Sequence, residues 1–493
     1  MELFMRYPHD VQQEVLQKLI HQARDTRWGQ TFGYSELKDP ESFAQKVPLS
    51  TYEDLAPWVQ SMMQGEQSVL WPGEIKWFAK SSGTTNDRSK FIPVSEEALQ
   101  DCHYKGAKDL LSVYCNMRPE AALFEGKCLT IGGSQAINPL NTQSYTGDLS
   151  ALLMHNQPFW AHLVRTPELE VALMDDWEHK MERIVQETRH ETVTNMAGVP
   201  TWILLLCRRM LEVTGKSHML EIWPKMEVYF HGGVGFHPYR NQFKALFPSD
   251  SVWYLETYNA SEGFLGLANE ANTDEMLLML DYGIYYEFIP IEELDTPQPQ
   301  ALPLHKVQVG RGYAVVISTN SGLWRYQIGD TITFTATSPY KFRILGRTKS
   351  FINAFGEELM AENAEYGIGY ASQCCGAQVK DYTAAPMFLE TGHAGLHQWL
   401  IEFERPPDDL ARFTQILDEA LRKVNSDYDA KRHKNLALLE PQIVVLQSGT
   451  FYRWLQSRNK LGGQHKVPRL VNHREIVNSV LEIMTDSQKT TEL

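Results

Sequence analysis

Apolar residues recur along this chain in two alternating rhythms. Val11, Val15, Leu16, Leu19, Ile20 and Ala23 fall at helical spacing and predict an amphipathic helix near the start. Ser95 is placed to N-cap a helix running to about Cys115, with Glu96 and Glu97 in a first turn whose dipole favours negative charge. Residues 175–189 and 201–211 read as two further helices, the second closed by Gly215. Short apolar runs at 127–131, 226–230, 252–256, 285–291, 313–319 and 331–335 read as strands. Strands interleaved with helices predict a largely parallel sheet covered on both faces, with ligand loops beyond the carboxyl ends of its strands. The Pro-rich stretch 295–303 reads as a surface loop within this region.

A second unit is expected after Gly346-Arg347. Its pattern is a helix around 363–370, a strand at 398–404, a long helix beginning after Pro407, and a strand at 442–446. The long helix carries Leu410, Phe413, Leu417, Leu421 and Val424 on one face. This αβαβ order suffices for a small lobe, so the expected division is 1–347 and 348–493. No internal repeat or low-complexity tract interrupts either part.

Composition narrows the class of protein. With 493 residues, 43% hydrophobic and 22% charged, the chain is globular and too long for one core. Its 46 basic and 61 acidic residues leave a formal charge of -15, which disfavours nucleic acid and anionic membrane as partners. No secretory signal is visible, and no segment approaches the ~18 apolar residues that span a bilayer. The six cysteines (102, 115, 128, 207, 374 and 375) form no CxxC pair, as expected of a reducing cytoplasm.

Five segments carry candidate chemistry. Ser81-Ser82-Gly83-Thr84-Thr85, with Lys90 downstream, offers close backbone N–H groups, hydroxyls and a cation for phosphate; the alternative is a polar surface turn. Tyr258-Asn259-Ala260-Ser261-Glu262 offers an aromatic ring for a purine and a carboxylate for Mg²⁺; the alternative is a capped strand end. Arg325-Tyr326-Gln327-Ile328-Gly329-Asp330 places an aspartate after a glycine turn, where it can accept both hydroxyls of a ribose; such turns are also common by themselves. The fourth segment runs from Gly346-Arg347 through Ile352 and Gly356 to Leu359. The fifth is Gln464-His465-Lys466-Val467-Pro468-Arg469, where a lysine beside Gly462-Gly463 could bring a cation to a reacting carboxylate.

In this order the five segments resemble the adenylate-forming superfamily of acyl-CoA synthetases, luciferases and adenylation domains. Ser-Ser-Gly-Thr, Tyr-x-x-Ser-Glu, Arg-Tyr-x-x-Gly-Asp and Gln-x-Lys-x-Pro-Arg are similar, more narrowly, to the Gretchen Hagen family of acyl acid amido synthetases. The resemblance implies an α/β adenylate-forming fold with a large N-terminal domain and a small mobile α+β C-terminal lobe. It implies ATP and Mg²⁺ as cofactors and a small carboxylic acid and an amino acid as substrates. By the same resemblance Ser82, Gly83, Thr84, Thr85 and Lys90 hold phosphates, Tyr258 adenine, Glu262 Mg²⁺ and Asp330 ribose. Arg347, at the hinge, then also contributes to cofactor binding, and Lys466 is the catalytic lysine of adenylation. Two departures stand out: Lys349 replaces the usual hinge aspartate, and Asn86-Asp87-Arg88 stands where many relatives have glycine.

Other conspicuous residues add less. His231 and His237 flank Gly232-Gly233-Val234, which reads as an adenine-contacting loop through Gly233 and Val234 and not as a metal site. His393 and His397 are expected at the surface, and no GxSxG elbow supports hydrolase chemistry. Phe159-Trp160 and Phe236 are candidates for lining an acyl pocket. The expected reaction is amide formation through an acyl-adenylate. Its rivals are an acyl-CoA ligase using the same adenylate and a nucleotide-binding regulator without turnover. The cluster Arg422, Lys423, Lys431, Arg432, His433 and Lys434 would serve the CoA reading as a phosphate patch, or else is the solvated end of the long helix.

Overall fold

The computed structural model describes residues 1–491 other than 82–89, 134, 234–235, 237–238, 295, 297, 348–350, 353, 356, 358, 389–394, 433–437, 459–465 and 472–473. The described chain divides into two compact units. The first comprises Met1–Val234 and Ala245–Ile344; the second comprises Gly235–Lys244, Leu345–Leu461 and His465–Leu493.

The first unit is built on a twelve-stranded sheet. The strands Trp253–Ala260, Val228–Gly232, Val193–Gly198, Lys127–Thr130 and Arg165–Thr166 are neighbours in that order and run parallel. Here the sequence expectation holds, because helices such as Pro200–Thr214 connect consecutive strands. Beyond Trp253–Ala260 the expectation of a largely parallel sheet fails. Gly263–Leu267 is antiparallel to both Trp253–Ala260 and Met276–Leu278, and Gly312–Thr319 is antiparallel to Ile284–Pro290 and Tyr326–Thr337. Between Trp253–Ala260, Gly263–Leu267 and Met276–Leu278, and between Gly312–Thr319 and Tyr326–Thr337, the connections are too short for a crossover helix, so these strands reverse as hairpins. Ile284–Pro290 is buried along its whole length, which explains its unbroken apolar character. A short helix, Glu2–Arg6, opens the chain, and the next, Pro8–Ala23, buries Val11, Leu16, Leu19, Ile20 and Ala23 as its spacing predicts, with Val15 partly buried.

A separate four-stranded sheet, in the order Lys90–Val94, Trp77–Ser81, Tyr145–Gly147 and Gln135–Ile137, carries the first glycine-containing segment. The helix predicted from Ser95 is interrupted: Ser95 Oγ caps Ala98 N–H at 3.0 Å, but Leu99–Tyr104 forms a π turn before the α-helix Lys105–Met117.

In the second unit, Gln378–Phe388, Gly395–Arg405 and Gln442–Leu446 form a three-stranded sheet, antiparallel then parallel. The helix Leu410–Val424 buries Phe413, Leu417 and Leu421 completely, whereas Val424, at the helix end, is 37% exposed. No helix among the described residues is long and apolar enough to cross a membrane.

Candidate functional site

The first candidate segment is the connection of a hairpin. Trp77–Ser81 pairs antiparallel with Lys90–Val94 so that Ser81 lies opposite Lys90. Ser82, Gly83, Thr84 and Thr85 join those two ends and lie outside the described residues. Phe78 and Ala79 are fully buried, so the stem is anchored in the core. Lys90 is half-buried, with its ammonium 5.6 Å from the centre of the Tyr52 ring. The Tyr52 hydroxyl accepts the Phe91 N–H at 2.8 Å and braces the same strand. Nothing in the spacing of the sequence marks Tyr52.

The second and third segments meet. Tyr258 is 7% exposed, and its hydroxyl donates to the Asp330 carboxylate through a short hydrogen bond. Two local motifs thus become one site. Their backbone settings differ from expectation. Tyr258 lies within the strand Trp253–Ala260, and Ser261-Glu262 is the two-residue turn to Gly263–Leu267, which puts a half-buried Glu262 at a hairpin tip. Asp330 follows a bulge and not a turn: Ala314 pairs with Thr331 and Val316 with Gln327, leaving Ile328–Asp330 opposite Val315 alone. Gly329 takes φ +88°, a left-handed value that a side chain would strain, and this kink sets the direction of Asp330.

The neighbouring parallel strand delivers the third component. Gly232 pairs with Thr257, and a Cβ at 232 would come within 2.4 Å of the Thr257 carbonyl oxygen, so only glycine permits this approach. Gly233, exposed, comes next; Val234 lies outside the described residues. Gly233 and Tyr258 therefore follow paired residues on adjacent strands.

The π turn supports this hairpin from behind. His103 Nδ1 is 2.9 Å from Asn259 Oδ1, and Phe264 N–H donates to Cys102 Sγ at 3.1 Å. Burial pushes the Cys102 thiol up to about 12 and the His103 imidazole down to about 4, the latter opposed by its bond to Asn259. His103 is depressed from the usual 6.5, so on acidification the unfolded chain takes up its proton first. Stability present above pH 6.5 is then lost as pH falls towards 4. The drop from 6.5 to about 4 corresponds to about 3 kcal/mol at most. Urea unfolding midpoints between pH 7 and 4.5 should fall less in His103→Gln than in the unaltered protein; equal falls would rule out this contribution.

The remaining candidates belong to the second unit. Arg347 ends the strand Tyr340–Arg347, and Lys349 lies outside the described residues. Lys466 is exposed beside Val467, which is 4% exposed. The chain that follows runs along the strand Gln378–Phe388, with Leu470 opposite Ala384. Desolvation raises the Glu365 carboxyl above its usual range, and the positive charges of Arg469 and Lys466 oppose the rise.

Two expectations fail in this unit. His397 is fully buried, 2.7 Å from the equally buried Glu357 of the fourth segment, because it faces inward from a strand lying between two others. His393 lies outside the described residues. The basic cluster is not simply a solvated face either. Arg432 is 8% exposed and donates from Nε and Nη2 to Asp418 at 2.7 Å, and Arg422 Nε donates to Asp429 at 2.6 Å. His433 and Lys434 are outside the described residues.

Comparison with known proteins agrees with this layout. The profile of the GH3 family N-terminal domain matches residues 1–252, that of the central domain 277–347, and that of the C-terminal domain 351–475. An indole-3-acetic acid-amido synthetase of Arabidopsis thaliana, GH3.3, is 24% identical, covering 95% of this chain and 90% of its own. Among solved structures, the GH3.15 acyl acid amido synthetase superposes with a TM-score of 0.77 at 17% identity, covering 97% of this chain and 93% of its own. A 2-hydroxyisobutyryl-CoA ligase in a postadenylation state reaches 0.61 at 13% identity, covering 96% and 91%. The fold is the mixed α/β fold of these adenylate-forming proteins.

Proposed function

The chain belongs to the GH3 family, and from that premise we propose that it is an ATP-dependent acyl acid amido synthetase. The carboxylate of a small acid attacks the α-phosphorus of ATP, and pyrophosphate leaves. The uncharged amine of an amino acid then attacks the acyl carbon of the adenylate. AMP leaves and the amine proton passes to solvent, which closes the amide bond. The observation that supports this most is the bond between Tyr258 and Asp330, which joins two nucleotide motifs 72 residues apart.

In this reading Ser82, Gly83, Thr84, Thr85 and Lys90 hold the phosphates from one hairpin. Asp330, oriented by Tyr258, accepts the ribose hydroxyls, and Gly233, Val234 and the Tyr258 edge contact adenine. Glu262 suits Mg²⁺ by its hard oxygen donors. Among the described residues no group of three or more His, Cys, Asp or Glu could hold a metal. Mg²⁺ needs only one or two carboxylates beside phosphate and water, and it would neutralise phosphate charge there. Residues 348–493 act as the lobe that presents and withdraws Lys466, pivoting near Arg347. Six free cysteines suit a cytoplasmic enzyme.

The CoA alternative loses one member of its phosphate patch, because Arg432 is buried against Asp418. Incubating the protein with ATP, Mg²⁺ and a panel of acids (indole-3-acetate, benzoate, 4-hydroxybenzoate and short aliphatic acids) against the amino acids and coenzyme A tests the reading. An N-acyl amino acid formed with AMP supports it; a thioester formed faster would replace it. In the same assay Asp330→Ala should raise the KM for ATP at least about tenfold, since a charge-assisted hydrogen bond is worth ~1.5–3 kcal/mol. An unchanged KM would remove Asp330 from the ribose.

A further inference from the structure

Within Gln-x-Lys-x-Pro-Arg, Lys466 is exposed and Arg469, three residues later, is largely enclosed, with 14% of its side chain exposed. The Arg469 guanidinium is engaged on three sides. Nη1 donates to the Asp381 carboxylate and, at 3.3 Å, to the Tyr382 carbonyl; Nη2 donates to the Tyr239 hydroxyl at 3.1 Å. The Tyr382 ring lies 4.6 Å below the guanidinium carbon. The backbone on either side is held to the same strand. Thr383 Oγ1 donates to the Pro468 carbonyl at 2.6 Å, Ala384 N–H to the Arg469 carbonyl at 2.9 Å, and Val471 N–H to the Ala384 carbonyl at 3.0 Å. Lys466 is thus the first described residue after 459–465 and stands two positions before the held stretch 468–471.

We propose that Arg469 is a positioning residue for Lys466: by locking residues 468–471 onto the strand Gln378–Phe388 it fixes where the lysine side chain starts. Tyr239 belongs to this lock although it lies only six residues after Gly233 in the chain. A segment that leaves the candidate adenine loop thereby takes part in aiming the lysine. Asp381 supplies the counter-charge that permits a guanidinium in this enclosed place. The proposal rests on the reading of Lys466 as the adenylation lysine.

The test compares Arg469→Met, Arg469→Lys, Tyr239→Phe and Lys466→Ala with the unaltered full-length enzyme. Acid-dependent ATP–pyrophosphate exchange is measured with the acid of the panel that exchanges fastest, and transfer from a presynthesised adenylate is measured separately. Arg469→Met is expected to lower the kcat of exchange by about 100-fold with little change in the KM for ATP, the order of effect that a ~1 Å misplacement produces. Tyr239→Phe should give a smaller loss, Arg469→Lys a partial rescue, and transfer should be spared in all three. Exchange unchanged in Arg469→Met would overturn the proposal. So would equal losses in both half-reactions with a lowered Tm, which would mean plain support of the fold. If Lys466→Ala itself exchanges normally, the reading of Lys466 fails instead. Acylation of Lys466 by acetic anhydride, measured by mass spectrometry relative to exposed Lys423, gives a substrate-free readout. The ratio should change several-fold in Arg469→Met, and an unchanged ratio would also overturn the proposal.

Discussion

Replacing Lys466 by alanine is expected to lower the rate of acyl-adenylate formation by about 10²–10³, the effect of removing one preorganised donor from a developing charge. The attacking carboxylate and the phosphates are all anionic, so the step needs a cation that arrives with them. Lys466 is exposed while Val467 and Leu470 beside it are buried, an arrangement that presents the ammonium and anchors its backbone. In the proposed reaction the amine attacks the acyl carbon once the adenylate exists, and the role proposed for Lys466 then gives this cation no further task. Transfer from a presynthesised adenylate should therefore proceed at close to the unaltered rate. Stopped-flow measurement of each half-reaction decides the matter. A comparable loss in both would show that the substitution damages the lobe and not one step.

Arg325→Met is expected to destabilise the first unit by about 3–5 kcal/mol, the usual result of leaving one member of a buried ion pair alone. Arg325 Nε and Nη2 donate to the two Glu287 oxygens at 2.9 and 2.8 Å, and Nη1 donates to the carbonyls of Ala44 and Val47, both at 2.8 Å. The two side chains are 7% and 4% exposed, so water cannot replace what is lost. Burial already raises the Glu287 carboxyl, with Arg325 opposing that rise. The double variant Arg325→Met/Glu287→Met should be more stable than Arg325→Met alone, because no charge is then stranded. Urea midpoints of the three proteins test this, and a double variant less stable than the single would contradict it. The first residue of Arg-Tyr-x-x-Gly-Asp thus serves stability, whereas Asp330, five positions on, serves the proposed nucleotide site.

The sequence by itself determined those features in which neighbouring residues carry the information. The helix Leu410–Val424 was legible because Phe413, Leu417 and Leu421 repeat at the helical period, and Pro200–Thr214 because Gly215 can take the left-handed φ of +65° that ends it. The candidate segments were legible for the same reason: glycine, hydroxyl, carboxylate and ammonium chemistry is readable within a few residues.

Only the tertiary structure decided which of these groups meet. Local pattern says that a residue will be buried without saying against what, so the bond from Tyr258 to Asp330 and the pairing of His397 with Glu357 had no sequence signal. The bulge at Gly329 depends on the register against Gly312–Thr319, and register is a property of two strands and not of one. Arg432 looked like part of a surface patch because charge normally seeks water; Asp418, buried on another helix, reverses that choice. The segment Gly235–Lys244 joins the second unit although its neighbours in the chain belong to the first. Side-chain contacts made at long range assign such a segment, and no periodicity within ten residues can encode them.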